Sequence, residues 1–185
     1  MSGPSLFERV LGDRYAALPV PLQRFHRLSG RHELHGLVET DPPDSAAGRM
    51  LAWCLGTPTR ATHGPIRFVL EAAPEVETWT RHFPGRTMRS RMHFASGRIV
   101  ERMGPARLAF TLDVSGGRLR MRLQALRFFG IPCPAWLQPR LVAEEAGDEV
   151  ARGQRLHFRI EAGVPLVGRV VGYRGYLVLP DATCE

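Results

Sequence analysis

Alternating apolar and polar positions dominate the chain from residue 65 onward. Apolar residues occupy every second position of the segments 118–124 and 155–160, and arginine, histidine or glutamine fills the positions between them. This period of two is typical of antiparallel strands with one buried and one hydrated face. Short glycine- and proline-containing turns separate the segments and predict hairpin pairing of neighbours. The predicted strands are 65–73, 76–83, 86–95, 98–103, 106–114, 117–127, 140–146, 154–162 and 167–179.

The N-terminal part of the chain follows a helical pattern instead. Apolar residues within 5–16 recur at helical spacing, and Ser5 followed three positions later by Glu8 forms a capping-box signature. Residues 22–28 predict a second short helix. We therefore expect a helical N-terminal segment, residues 1–29, that packs on the sheet.

Between these helices and the strands lies a transitional region. Residues 31–40 are strand-like, and Asp44 or Ser45 is expected to cap one further helix. The chain is long enough for one domain, 1–185, with a β-rich body at 30–180. The expected fold is mainly β (α+β): a strongly curled antiparallel sheet or barrel of about nine strands, with short N-terminal helices.

Composition bears on the source organism, the surface charge and the expected location of the protein. All 25 basic residues are arginine and asparagine is absent, a bias that indicates a GC-rich bacterial genome. The formal net charge of +7 is independent of that bias and indicates a basic surface. The arginines are spread along the chain without a nucleic-acid-binding motif, so we expect no nucleic acid partner. No apolar stretch is long enough for a transmembrane segment, and the N-terminus lacks a secretion signal, which predicts a cytoplasmic protein.

Cysteine and histidine spacing indicates neither a metal site nor a redox motif. The cysteines, Cys54, Cys133 and Cys184, are far apart and form no C-x-x-C pair. No histidine pair has the spacing of a metal-ligand set, and G-x-G-x-x-G and G-x-S-x-G are absent. We therefore expect no metal and no cofactor.

The candidate site centres on an arginine between two aromatic residues. On strand 76–83, Trp79, Arg81 and Phe83 share a face, and Glu101 lies two strands away among apolar neighbours. Such a pair would be the polar contacts of a ligand cavity or a structural ion pair, or Arg81 would instead extend its guanidinium outward to solvent. The predicted ligand-binding residues are Trp79, Arg81, Phe83, Met88, Met92, Phe94, Glu101 and Tyr173, and the candidate acids or bases among them are Glu101 and Tyr173.

Five ordered motifs carry a family resemblance. They are LFERVLG near the N-terminus, ETWTRHFPGR at 77–86, ERMGP at 101–105, RFFGIPCP at 127–134 and PLVGRVVGYRG at 165–175. Together they resemble the bacterial family called domain of unknown function 4166. The resemblance singles out Trp79, Arg81, Phe83, Glu101, Gly104, Gly130, Pro132, Tyr173 and Gly175. It implies a domain found alone or after a saccharopine-dehydrogenase-like reductase, and it implies no activity.

Three hypotheses for function follow. The first is a domain that binds a hydrophobic, lipid-like or polyketide-like molecule in an apolar cavity. The second is a cofactor-independent cyclase or isomerase that uses the same cavity, with Glu101 or Tyr173 as acid or base. The third is an accessory module that docks on a separate reductase or an acidic carrier protein through its arginine-rich surface.

Overall fold

Ten antiparallel strands form a closed barrel. The computed structural model describes residues 3–150 and 153–180. Around the barrel the strands follow chain order from β1 to β7, continue with β9, β10 and β11, and close where β11 pairs with β1; β8 pairs only with β7. The strands are β1 (Gly30–Thr40), β2 (Thr62–Ala73), β3 (Val76–Phe83), β4 (Arg86–Ala95), β5 (Arg98–Met103), β6 (Ala106–Ser115), β7 (Arg118–Phe128), β8 (Ile131–Pro132), β9 (Arg140–Val150), β10 (Gly153–Val164) and β11 (Gly168–Val178).

The helices lie outside this ring of strands. They are α1 (Leu6–Leu11), α2 (Val20–Arg27) and α3 (Ala46–Leu55), and 3₁₀ turns cover Gly12–Ala17 and Ala135–Leu137. The predicted capping box is present, because the Glu8 amide donates to Ser5 Oγ and the Ser5 amide donates to the Glu8 carboxylate. Ser45 caps α3, whereas Asp44 instead pairs with Arg169.

These elements confirm the predicted mainly β fold and its barrel form. The strand-like segment at 31–40 becomes β1 and closes the ring, which raises the strand number from about nine to ten. Strand β2 starts three residues before its predicted beginning at 65, and β9 runs beyond the predicted end at 146. Pairing with neighbours extends both strands past the point where the hydrophobic alternation fades.

The barrel is unevenly closed. Strands β6 and β7 pair along their whole length, but β7 and β9 pair only at Arg118–Arg120 opposite Glu144–Ala146. Beyond that point β7 is joined by the two-residue strand β8 instead. The segment 129–139, which links β7 to β9, therefore covers a seam where the two strands are not hydrogen-bonded to each other.

The helices α1 and α2 close the end of the barrel opposite this segment. Helix α1 contacts β4, β5 and β6, while α2 contacts β9 and β10. Phe7 and Phe25 are completely buried among the inward-facing side chains of the strands. The N-terminal helices thus contribute to the same hydrophobic core as the barrel.

Helix α3 lies across the other end. Its N-terminus is held next to β11, because Ser45 Oγ donates to the carbonyl of Val167, the residue before that strand. Near its C-terminus the Arg86 guanidinium donates to the Trp53 and Gly56 carbonyls. A side chain at Gly104 would meet the Cys54 carbonyl oxygen at 2.5 Å, so the turn between β5 and β6 touches α3 directly. The loop 129–139 lies at this same end.

Candidate functional site

An apolar cavity lies inside the barrel, between the N-terminal helices and α3. Its volume is about 260 Å³. A cavity of about 150 Å³ already admits benzene, and pockets for drug-sized molecules start at roughly 300 Å³. The space therefore suits a compact ring system or the end of a longer chain. Its apolar lining includes Leu55, Met88, Met92, Met103, Leu108, Phe110, Met121, Leu126, Phe128, Leu141, Ile160 and Val171.

Methionine is prominent in this lining. Met88 and Met92 come from β4, Met103 from the end of β5 and Met121 from β7. The unbranched, polarisable thioether side chain adapts to irregular shapes more easily than a branched aliphatic one. The cavity can therefore change its shape for a ligand at lower cost than a wall of valine and isoleucine.

The cavity reaches the surface at the end that carries α3. Leu51 and Leu55 of α3 line it on one side, and Cys133, Leu137 and Pro139 of the loop 129–139 line it on the other. All five side chains are partly exposed. The space between α3 and this loop, above the seam between β7 and β9, is therefore the mouth of the cavity.

Arg81 is the main polar group on the cavity wall. Its guanidinium is buried and lies 5.0 Å from the Trp79 ring centre and 5.6 Å from that of Phe68. It donates one hydrogen bond, of 3.2 Å, to Ser90 Oγ. The other N–H groups of Arg81 have no acceptor among the described residues. A cation held between aromatic rings with open donors is able to bind an oxygen atom of a ligand.

The Tyr173 hydroxyl faces the same space. Burial raises the pKa of Tyr173; Arg81 acts in the opposite direction, and Glu101 and Glu145 add to the increase. All four residues line the cavity, and we call them the polar floor. Tyr173 makes no hydrogen bond to any other described residue. The polar floor therefore offers hydrogen-bond donors from Arg81 and Tyr173 beside two carboxyl groups.

A buried histidine lies behind the polar floor. The His26 Nε2 and Glu145 Oε2 atoms are 2.8 Å apart, and the His26 ring stacks on Phe7 with ring centres separated by 3.6 Å. Within the described part of the chain, His26 Nδ1 is a fully buried side-chain atom without a hydrogen-bond partner. Helix α2 thereby connects the N-terminal segment to the cavity through the Glu145 carboxyl group.

Glu77 is, besides Glu145, a second buried acidic residue of this region. Its carboxylate accepts a hydrogen bond of 3.0 Å from the Trp79 indole N–H. Burial raises the pKa of Glu77, and the electrostatic interaction with His26 and the Trp79 hydrogen bond only partly offset this effect. The protonated form of this carboxyl group is therefore favoured inside the protein compared with a carboxyl group in water.

The structure brings six of the eight predicted ligand-binding residues to one cavity. Those that line it are Trp79, Arg81, Met88, Met92, Glu101 and Tyr173. Phe83 lies elsewhere, because it packs edge-to-face on Tyr173 with ring centres 5.1 Å apart. Phe94 also lies outside, since the Arg9 guanidinium covers its ring at 4.4 Å. Arg81 and Glu101 share the cavity but form no ion pair within the described chain.

Sequence reasoning missed two residues of the site, Glu145 and His26. Glu145 alternates with Leu141 and Ala143 on the inward face of β9, so the period of two was the available signal. His26 shares a helical face with Leu22 and could be recognised only as an apolar-face histidine. Nothing local indicates that these two residues, 119 positions apart, meet.

A second depression lies on the outer surface. It has a volume of about 410 Å³ and crosses β1, β11, β10 and β9. Its charged side chains are paired, as Arg174 with Glu39 at 2.8 Å and Arg118 with Glu144 at 3.6 Å. Because these charges satisfy one another in an open groove, the cavity inside the barrel is the stronger candidate for a binding site.

Two other kinds of site are absent from the described residues. In residues 3–150 and 153–180, no cluster of three or more histidine, cysteine, aspartate or glutamate side chains is placed to hold a metal ion. No helix in these ranges has the length and apolar character needed to cross a membrane.

The strands and the space they enclose define a closed antiparallel β-barrel with an internal apolar cavity. The chain belongs to the family described as Domain of unknown function (DUF4166), which matches residues 18–177 and confirms the resemblance seen in the motifs. No curated protein matches the chain. A solved structure similar to it is the crystal structure of Rv2717c from M. tuberculosis, with 11% identity, a TM-score of 0.46 and coverage of 88% of this chain and 99% of that one.

Proposed function

We propose that the protein binds a compact hydrophobic molecule, lipid-like or polyketide-like, inside the barrel. The observation that carries this proposal is an apolar space of about 260 Å³ inside the barrel with a buried arginine on its wall. An empty cavity of this size lowers the free energy of unfolding, because the side chains of its walls lose packing contacts. Retention of the space together with a charged group facing it supports a binding role.

The polar floor restricts the chemistry of the ligand. Arg81 and Tyr173 offer donors, and the carboxyl groups of Glu101 and Glu145 lie close enough to affect the Tyr173 hydroxyl. An anionic ligand would be attracted by Arg81 but repelled by the two carboxylates. A neutral molecule with a carbonyl, hydroxyl or phenol oxygen accepts from Arg81 without this repulsion. We infer a neutral ligand that places one oxygen at the polar floor.

Two small probes of nearly equal shape test this proposal. Naphthol carries the oxygen and naphthalene lacks it, so calorimetric titration with both isolates the contribution of the polar floor. We expect the wild-type protein to bind naphthol about tenfold or more tightly than naphthalene, because a buried donor left without its acceptor costs about 1–3 kcal/mol.

Arg81→Leu should remove the preference for naphthol and leave naphthalene binding unchanged. The matched control is Arg91→Leu, which truncates an exposed arginine on the outer face of β4. Thermal unfolding of each variant accompanies the titrations. If Arg81→Leu unfolds the protein, Arg81 is structural and the proposed contact is wrong; an unchanged preference would equally contradict it. Native mass spectrometry of the purified protein, with extraction of retained molecules, identifies the natural ligand class.

A cofactor-independent cyclase or isomerase is the second candidate. The observation that favours it is that Tyr173, Glu101 and Glu145 line one cavity. Side chains of these types transfer protons when a substrate lies within hydrogen-bond distance. An isomerase or a cyclase of this kind forms a product of the same mass as its substrate. Incubation of the extracted ligand with the protein, followed by chromatography that separates isomers, therefore distinguishes this candidate from simple binding.

A further inference from the structure

The mouth of the cavity is surrounded by exposed apolar side chains. Among the described residues, six large apolar side chains are more than 60% exposed, and all six lie at the α3 end of the barrel. The other large apolar side chains on the surface reach at most 53%, the value of Val20. We call the six residues the apolar rim: Met50, Trp53, Phe129, Ile131, Trp136 and Leu166.

Two residues of the apolar rim occupy backbone positions that disfavour large side chains. Leu166 and Phe129 are the most exposed of the six, at 95% and 73%, and have φ angles of 67° and 50°. Glycine is the residue that the left-handed region favours, and a bulky residue there is strained. Large apolar side chains thus occupy positions where both solvation and backbone geometry favour a smaller residue. This indicates that they bind something other than the rest of the chain.

The same two elements form the mouth and the apolar rim. Helix α3 directs Leu51 and Leu55 into the cavity while Trp53 is exposed on its surface. The loop 129–139 directs Leu137 into the cavity while Trp136 is exposed beside it. A surface that covers the apolar rim therefore also covers the entrance to the cavity.

Arginines surround the apolar rim without carboxylate partners. The acidic side chains Asp41 and Asp44, at this end of β1, are already paired with Arg174 and Arg169. Six exposed arginines belong to strand ends, turns or α3 at this end, and none forms an ion pair within the described ranges. They are Arg49, Arg60, Arg102, Arg107, Arg127 and Arg140. This end of the barrel is therefore both apolar and positively charged.

We propose that the α3 end of the barrel docks on the surface of an anionic lipid bilayer, with the apolar rim inserted between the headgroups. Tryptophan and arginine suit this location, because the indole ring lies at the headgroup level and the guanidinium pairs with lipid phosphate. Docking places the mouth of the cavity against the layer in which an apolar ligand dissolves. In this respect the inference extends the proposed ligand-binding function, but the docking itself requires no ligand.

A second copy of the chain fits this surface poorly. A two-fold contact brings the same patch of both protomers together. The six unpaired arginines of one protomer would then face those of the other, and like charges across an interface oppose association. An anionic bilayer offers the opposite charge together with an apolar layer, so the charge pattern selects the lipid surface.

Cosedimentation with vesicles tests the proposal on the full chain. The vesicles are phosphatidylcholine alone or an equimolar mixture of phosphatidylcholine and phosphatidylglycerol. We expect binding to the mixed vesicles at low salt, weaker binding at high salt, and little binding to phosphatidylcholine alone. Brominated acyl chains should quench tryptophan fluorescence in the bound protein, since Trp53 and Trp136 are exposed and only Trp79 is buried.

Variants of the apolar rim and the arginines provide the decisive comparison. The double variant Phe129→Gly and Leu166→Gly removes the backbone strain at the two positions of positive φ, so it should fold normally. Because it also removes two apolar side chains from the apolar rim, it should bind mixed vesicles at least about tenfold more weakly. Val20→Ser, at the opposite end, is its control. Arg127→Glu with Arg140→Glu should weaken binding about twenty-five-fold or more, at about fivefold for each charge removed.

The control for the charge variants is Arg98→Glu, which changes an exposed arginine at the start of β5, at the opposite end of the barrel. Failure of the wild-type protein to bind the mixed vesicles overturns the proposal, as does equal binding by the rim variants and the controls. Self-association that the rim variants abolish, measured by sedimentation equilibrium, would instead identify an interface between copies. The vesicle experiments contain no cavity ligand, so their outcome does not depend on the outcome of the naphthol test.

Discussion

Removal of the Phe7 ring tests whether the N-terminal helices are part of the barrel core. Phe7 is completely buried, stacks on His26 at 3.6 Å and lies 6.2 Å from the Trp79 ring centre. Phe7→Ala removes the whole ring from a site where α1 is fixed against β4, β5 and β6. Buried phenylalanine truncations cost about 3–5 kcal/mol, from the lost transfer energy and the cavity left behind.

Urea denaturation and thermal melting, both followed by circular dichroism, measure this loss. For a chain of this length each kcal/mol lowers the melting temperature by about 2–4 °C, so the variant should melt roughly 6–20 °C below the wild type. The control is Phe129→Ala, which removes the same ring from an exposed position and should change the free energy of unfolding by less than about 0.5 kcal/mol. A loss below about 1 kcal/mol for Phe7→Ala would refute the reasoning and mean that α1 packs only loosely.

Two predictions concern carboxyl groups inside the barrel. Burial raises the pKa of Glu77, so its contribution to stability is full below the ordinary value of about 4.5 and is lost as the pH rises through the folded-state pKa. Glu77→Gln keeps an amide oxygen that accepts the Trp79 N–H, and its stability should not fall as the pH rises above 4.5. Urea denaturation at a series of pH values measures the free energy of unfolding of the wild type and the variant. Equal pH dependence of the two proteins would contradict the prediction. If the cavity performs acid–base chemistry through Glu101, Glu101→Gln should abolish turnover of the extracted ligand, and turnover that persists excludes this role.

The candidate site was predictable from the sequence where strand alternation identifies an inward face. Trp79 and Arg81 were found because they share the buried face of β3, and both line the cavity. Phe83 and Phe94 share inward faces as well, but alternation does not specify depth along the barrel. Phe83 packs behind Tyr173 and Phe94 lies beneath Arg9. Ligand binding by the six residues that line the cavity stays a prediction, as does docking on a separate reductase or carrier protein.

Local sequence determined the elements of this protein. Strands such as 76–83, 86–95 and 98–103 match their predicted bounds, since a period of two with turn residues at both ends depends only on neighbours in the chain. The capping box of Ser5 and Glu8 is likewise local.

Tertiary structure alone decided how the barrel closes and what it encloses. The pairing of β1 with β11, the short contact between β7 and β9, and the meeting of His26 with Glu145 join residues more than twenty positions apart. Hydrophobic alternation states which face of a strand is buried but not which strand lies beside it. The cavity, its mouth and the apolar rim arise from those long-range pairings, because the seam that β7 and β9 leave unpaired determines where the loop 129–139 must lie.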